Sequence, residues 1–257
     1  RVLFRSIEMN EEELREFLNV HKQVGLDAFN NILSWAIKVG DPNKVIEKLD
    51  VLDVDVLGEL NSLLGLSKLK SVLEIWNKNK NNSDEEFWQS VFEEYSIILS
   101  QLFSFPVIIH EDKAYVGGKG LTNTGGNIVD FIMTNQITSN LAFIEIKTPT
   151  TKLIGPEYRK NIPNISKELT GAVTQVLSYS DSLGKEFNNL RINSDYEFEA
   201  FNPECVVIAG TTEKEIDDKY SKRSFELYRN NMKDVSILTY DEVFKRVKVL
   251  IDLFEKH

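Results

Sequence analysis

Three charged residues stand where apolar ones would be expected. Asp130 interrupts the run Ile128-Val129-Asp130-Phe131-Ile132-Met133. Glu145 and Lys147 interrupt Leu141-Ala142-Phe143-Ile144-Glu145-Ile146-Lys147. Side chains of a strand alternate between faces, so Glu145 and Lys147 share one. A symmetric turn between the two runs pairs Thr134 with Leu141 and therefore Asp130 with Glu145. Directly opposed side chains sit about 5 Å apart. Two carboxylates that close raise at least one pKa, and a divalent cation resolves the conflict. All-oxygen ligation suits magnesium, which uses one or two carboxylates together with water and phosphate. Such an ion lowers the pKa of bound water and stabilises charge developing on a phosphate, with Lys147 placed to hold the water or counter that charge. Spacing alone leaves a second reading open, a solvent-facing edge strand with Ile144 and Ile146 turned inward.

The elements that must carry these residues follow from periodicity. Leu14, Leu18, His21, Leu26, Phe29, Ile32 and Leu33 recur at helical spacing until Gly40-Asp41-Pro42 breaks the pattern. Short helices are expected over 45–49, 56–64 and 66–76. The polar stretch Asn77 to Asn82 marks a boundary between a helical region, 1–82, suited to scaffolding or subunit contact, and a second domain, 83–257. Ser83 with Glu86 reads as a capping box opening a helix that carries Phe87, Val91, Phe92, Tyr95, Ile98, Leu99 and Leu102. The period then drops to two. Strands are expected at 105–110 and 114–116, then the pair 128–134 and 141–147, separated by a glycine-rich loop from its partner strands. Helix 166–183, strand 204–209, helix 217–231, strand 235–238 and helix 241–255 complete an α/β arrangement with a mixed central sheet flanked by helices. Thr239 and Glu242 form a second capping box.

Composition narrows the function classes. The net charge of −10 and pI of about 5.0 oppose a nucleic-acid partner unless basic residues cluster locally. Candidates for such a cluster are Lys147, Lys152, Arg159, Lys160 and Lys167, set against Glu157 and Glu168, with Lys119 in the glycine-rich loop and Lys222, Arg223 and Arg229 as a further group. Gly117-Gly118-Lys119-Gly120 lacks the spacing of a phosphate-binding nucleotide loop, so no small-molecule nucleotide is expected. His21, His110 and His257 are scattered, which leaves a histidine triad or zinc site without support. Cys205 is the sole cysteine and lies in an apolar run, as a buried thiol would; a cytoplasmic setting follows. No apolar run reaches the roughly 20 residues that span a bilayer.

The segments Gly126 to Phe131 and Phe143-Ile144-Glu145-Ile146-Lys147-Thr148-Pro149 resemble the active-site strands of PD-(D/E)xK nucleases, and more narrowly the Shedu family of bacterial anti-phage defence nucleases. Glu86-Phe87-Trp88-Gln89, Gln175-Val176-Leu177-Ser178-Tyr179 and Lys222 to Arg229 fit the same family, so the resemblance covers about 83–247. It implies a restriction-endonuclease-like core behind an all-helical N-terminal region. It implies a homo-oligomeric, metal-dependent endonuclease that nicks or cuts double-stranded phage DNA with magnesium, or manganese in its place. By the same resemblance Asp130, Glu145 and the backbone carbonyl of Ile146 bind the metal, Lys147 positions the attacking water, and Gln175 points to the site, with Tyr179 one turn further on. Val129 stands where the motif's name has Pro. Glu86 is either an added acidic group or a helix-capping partner. The rival functions are a DNA-binding or sensing module with little turnover, and an interaction scaffold.

Overall fold

The computed structural model describes residues 54–115, 128–194 and 196–255, with side chains from 65 to 109 in the first of these spans. The helices expected before residue 54, the glycine-rich loop with Lys119, His21, His257 and the His110 side chain lie outside the described residues.

The described elements are α1 (Val54–Asn79), α2 (Glu85–Glu94), α3 (Ile97–Ser100), β1 (Val107–Tyr115), β2 (Ile128–Asn135), β3 (Asn140–Ile146), β4 (Ile154–Arg159), β5 (Ile162–Ile165), α4 (Lys167–Ile192), β6 (Glu199–Ile208), α5 (Thr212–Glu215), α6 (Lys219–Asn230), β7 (Val235–Leu238) and α7 (Tyr240–Phe254). The chain divides into two compact units, residues 1–72 with 251–257, and residues 73–250. α1 runs unbroken where two helices were expected over 56–64 and 66–76, because Gly65 costs a helix only about 1 kcal/mol.

In the second unit a five-stranded sheet has the order β1-β2-β3-β6-β7. β1, β2 and β3 run antiparallel, and β3, β6 and β7 run parallel. The mixed sheet expected from the sequence is therefore present, and β3 is its central strand. Leu141 to Ile146 are all buried, as a strand covered on both faces requires. The β2–β3 turn is fixed by Asn135, whose Oδ1 accepts from the N–H groups of Ile137 (2.8 Å) and Thr138 (3.2 Å).

One face of the sheet, through Ile132, Leu141, Phe143, Cys205, Val207 and Ile237, packs against Leu169, Ala172, Val173, Val176, Tyr179 and Leu183 of α4. The helical residues recur every three or four positions and so form one stripe. Alternation turns the other buried strand residues, among them Phe131, Met133, Ile144, Ile146, Val206 and Ile208, to the opposite face.

Three expectations are corrected. The helix expected from 83 to 102 ends at Glu94, where Tyr95 leaves helical geometry, and α3 follows separately. Its cap is Asp84 rather than Ser83, accepting from Glu86 N (3.0 Å) and Phe87 N (3.3 Å). The two strands expected at 105–110 and 114–116 are one strand, β1, interrupted by a bulge between Ile109 and Glu111. The β4–β5 hairpin lies in a stretch to which no element was assigned, and its Gly155-Pro156 and Pro163 match no strand pattern.

The end of β6 turns sharply at Gly210, whose φ is +61°. A Cβ there would lie 2.5 Å from the Thr151 carbonyl oxygen and 2.7 Å from the Leu153 side chain. Left-handed backbone costs a non-glycine residue about 1–2 kcal/mol and overpacking about 1–3 kcal/mol. Gly210→Ala is expected to lose about 2–4 kcal/mol of stability, read as a lower urea midpoint at unchanged slope.

Candidate metal centre

The β2–β3 register holds from Thr134↔Leu141 to Phe131↔Ile144. The next pair in that series is Asp130 with Glu145, as the symmetric turn requires. Here the ladder gives way to side-chain bonding. Asp130 Oδ2 accepts from the backbone N–H of Ile146 at 2.7 Å, and Oδ1 accepts from Gln89 Nε2 of α2 at 2.5 Å. A strand residue's N–H and C=O point the same way, so the Ile146 carbonyl also faces β2.

Glu145 is 1% exposed. One oxygen, Oε1, lies 2.7 Å from Lys147 Nζ, and the other, Oε2, is buried without a hydrogen-bond partner. A buried charged oxygen left unpaired is costly, which is a mark of a group shaped for a ligand. Glu85, in the first turn of α2, completes the set. One carboxylate oxygen from each of Glu85, Asp130 and Glu145 lies within 4.8 Å of the others, and Glu85 Oε1 is 3.3 Å from Lys147 Nζ. Three carboxylates against one ammonium, all hard oxygen donors, fit a divalent cation.

The backbone fixes Lys147 at both ends. Its N–H donates to Ile208 O at 2.8 Å, continuing the parallel ladder, and its carbonyl accepts from the buried Tyr240 hydroxyl at 2.5 Å. Burial, then the neighbouring Asp130 charge, pushes Glu145 up to about 7, with Lys147 opposing. Burial alone would lower Lys147, but the hydrogen bond to Glu145 and the surrounding carboxylates outweigh it, so the ammonium is held charged above its ordinary range.

The structure thus brings together Asp130, Glu145 and Lys147 as the sequence led us to expect, and it removes the edge-strand reading, because β3 is central and Glu145 is buried. Gln175 is exposed on α4; it donates to the Tyr179 hydroxyl at 2.5 Å. Burial raises the Tyr179 phenol, the Gln175 bond opposes, and the Glu145 and Asp130 carboxylates add to it. The phenol therefore stays protonated beside the carboxylates, without a well-formed bond to Oε2. Glu86 is exposed, stands outside the acidic cluster and has its own N–H capped by Asp84, so it fills neither role considered for it.

Sequence reasoning passed over Glu85 and Gln89. The signal was there: Glu85, Trp88, Gln89 and Phe92 are spaced as one helical stripe, and the buried Trp88 and Phe92 aim that stripe inward. Among the basic residues, Arg229 is committed, with bonds to Glu242 at 2.8 Å and to Glu226 at 2.7 and 3.0 Å. Cys205 is buried and its thiol is pushed up to about 12, so it offers no thiolate.

An acidic cluster with a fixed lysine, at the point where the central strand of a mixed α/β sheet parts from its neighbour, defines a candidate hydrolytic metal centre. The model of the family described as Shedu protein SduA, C-terminal, matches residues 82–244. A protein described as Shedu protein SduA from Bacillus cereus (strain B4264) is 42% identical over 260 residues, an alignment covering 98% of this chain and 67% of that protein. The chain belongs to the Shedu family. Among the described residues no helix is long and apolar enough to cross a membrane.

Proposed function

We propose that this chain is a metal-dependent endonuclease with a PD-(D/E)xK site, and that it hydrolyses phosphodiester bonds of double-stranded DNA in bacterial defence against phage. The nuclease domain is 83–257, and the protein works in the cytoplasm as a homo-oligomer. The observation that carries the reading is the gathering of Glu85, Asp130 and the buried Glu145 within 4.8 Å of one another, with Glu145 Oε2 lacking a hydrogen-bond partner.

Glu85, Asp130 and Glu145, with the Ile146 carbonyl, would hold magnesium or manganese, which supplies Lewis acidity and an activated water. Gln89 and the Ile146 N–H fix the Asp130 carboxylate in one orientation. Lys147 acts as a charged donor rather than a base, since its surroundings favour the ammonium. It orients the nucleophilic water and offsets negative charge growing on the phosphate. Tyr179, held by Gln175, offers a neutral hydroxyl on the α4 side.

Incubation of supercoiled plasmid and linear duplex with magnesium, and separately with EDTA, tests the reading. Cleavage is expected with magnesium alone and is expected to vanish in Asp130→Asn and Lys147→Ala. Metal-dependent cleavage of equal rate in those variants would contradict it.

Metal binding must displace the proton that Glu145 holds below about pH 7. Manganese affinity is therefore expected to rise about tenfold per pH unit up to neutrality and to level off above it. Titration calorimetry across that range reads the slope; a flat profile would remove Glu145 from the ligand set.

A further inference from the structure

Six cations on neighbouring elements make no ion pair among the described residues: Lys152, Arg159, Lys160, Lys167, Lys222 and Arg223. Four of them lie on or beside the β4–β5 hairpin. Its tip, Tyr158-Arg159-Lys160-Asn161, is exposed, with Asn161 at φ +62° closing the turn. The Arg159 guanidinium lies 5.3 Å over the Tyr158 ring, which is itself 66% exposed. The acidic Glu157 is engaged locally, accepting from Asn161 N at 3.1 Å. β5 packs along α6, the helix that exposes Lys222 and Arg223. In a chain of net charge −10 this is a local concentration of uncommitted positive charge.

The hairpin is anchored to the site's framework. Leu153 at its root is buried in the core, and Ser166 at its end both donates to the Lys152 carbonyl at 2.5 Å and caps α4. α4 then runs from the hairpin to Tyr179, a rise of about 18 Å at 1.5 Å per residue. Along duplex DNA that span is on the order of five base pairs. Pro156 and Pro163 interrupt the ribbon's donors, which disfavours addition of another strand and leaves the side chains as the means of contact. A two-stranded ribbon of this width fits the major groove.

We propose that the β4–β5 hairpin, with the exposed Lys222 and Arg223 of α6, grips the backbone of duplex DNA a few base pairs from the scissile phosphate. The assignment rests on the nuclease reading for the position of that phosphate, while the duplex-binding role is tested apart from cleavage.

Binding of a short labelled DNA duplex, with calcium replacing magnesium, is measured by fluorescence anisotropy over a salt series. The proteins are the wild type, Arg159→Glu with Lys160→Glu, and Lys222→Glu with Arg223→Glu, each checked for an unchanged melting temperature. The hairpin pair is expected to weaken binding at least about tenfold and to flatten the slope of log K against log salt by about two. The α6 pair is expected to act in the same direction. Binding and slope equal to wild type in both pairs overturn the proposal while leaving the nuclease reading intact. A changed sedimentation mass with unchanged DNA binding also overturns it and makes the hairpin a subunit contact. Hairpin-dependent binding by a wild type that never cleaves upholds the hairpin and ends the nuclease reading. A wild type that binds no duplex overturns both.

Discussion

Glu145→Gln is expected to abolish cleavage and, at the same time, to make the metal-free protein more stable. Glutamine keeps the shape of the side chain but cannot serve as a charged metal ligand. A variant that loses a group acting in the transition state falls by a factor of about 10²–10⁴. The gain in stability follows from linkage. The Glu145 carboxyl sits at about 7 in the folded chain against 4.5 in the ordinary case. Between those values the native state binds more protons than the unfolded state. Stability therefore falls as pH rises through that window, and the loss is complete above it. Removing the charge recovers as much as about 3 kcal/mol above pH 7, less whatever the bond to Lys147 contributes. Urea unfolding with EDTA at acidic and alkaline pH checks the sign. The variant's advantage should be present at pH 8 and absent at pH 4. A variant less stable than wild type at pH 8 would mean that the carboxylate holds the fold together rather than straining it.

The largest expected loss of stability is at Trp88. Its ring is fully buried, 4.9 Å from Tyr240 and 5.9 Å from Trp76, which in turn stacks on Phe244 at 4.8 Å. Its Nε1 donates to Asn82 O at 3.1 Å, so the helix start is tied as well. Trp88→Ala removes these contacts and leaves a cavity, at a cost of about 3–5 kcal/mol. The same residue aims α2 so that Glu85 and Gln89 reach the carboxylates. The variant is therefore expected to lose manganese affinity even in the fraction that stays folded. Trp88→Phe, which refills most of the volume, should recover a large part of both. Manganese binding equal to wild type in folded Trp88→Ala would separate α2 from the metal centre.

The site's core was legible because strand chemistry is local. Alternation places Glu145 and Lys147 on one face, and a turn built on Asn135 sets the register that brings Asp130 opposite Glu145. The Glu85 contribution was legible only through its stripe with Trp88, Gln89 and Phe92, and the misplaced cap at Ser83 drew attention to Glu86 instead. The break between α2 and α3 was hidden by apolar residues that keep helical spacing through Tyr95, Ile98 and Leu99. The β4–β5 hairpin was hidden because its two prolines and sparse alternation match no strand pattern, yet packing against α6 holds it. Arg229 looked like a free phosphate contact, and only tertiary structure shows Glu226 and Glu242 claiming it. For the hairpin and for Arg229 the missing information was which partner a residue meets across the chain.

The central claim is that Glu85, Asp130 and Glu145 form one divalent-cation site. Manganese binding to the metal-free protein, followed by electron paramagnetic resonance, addresses it directly. The expected result is a saturable site in the wild type that is lost or much weakened in Glu145→Gln and in Asp130→Asn, and weakened in Glu85→Gln. Equal stoichiometry and affinity in all four proteins would show that the carboxylates meet for another reason.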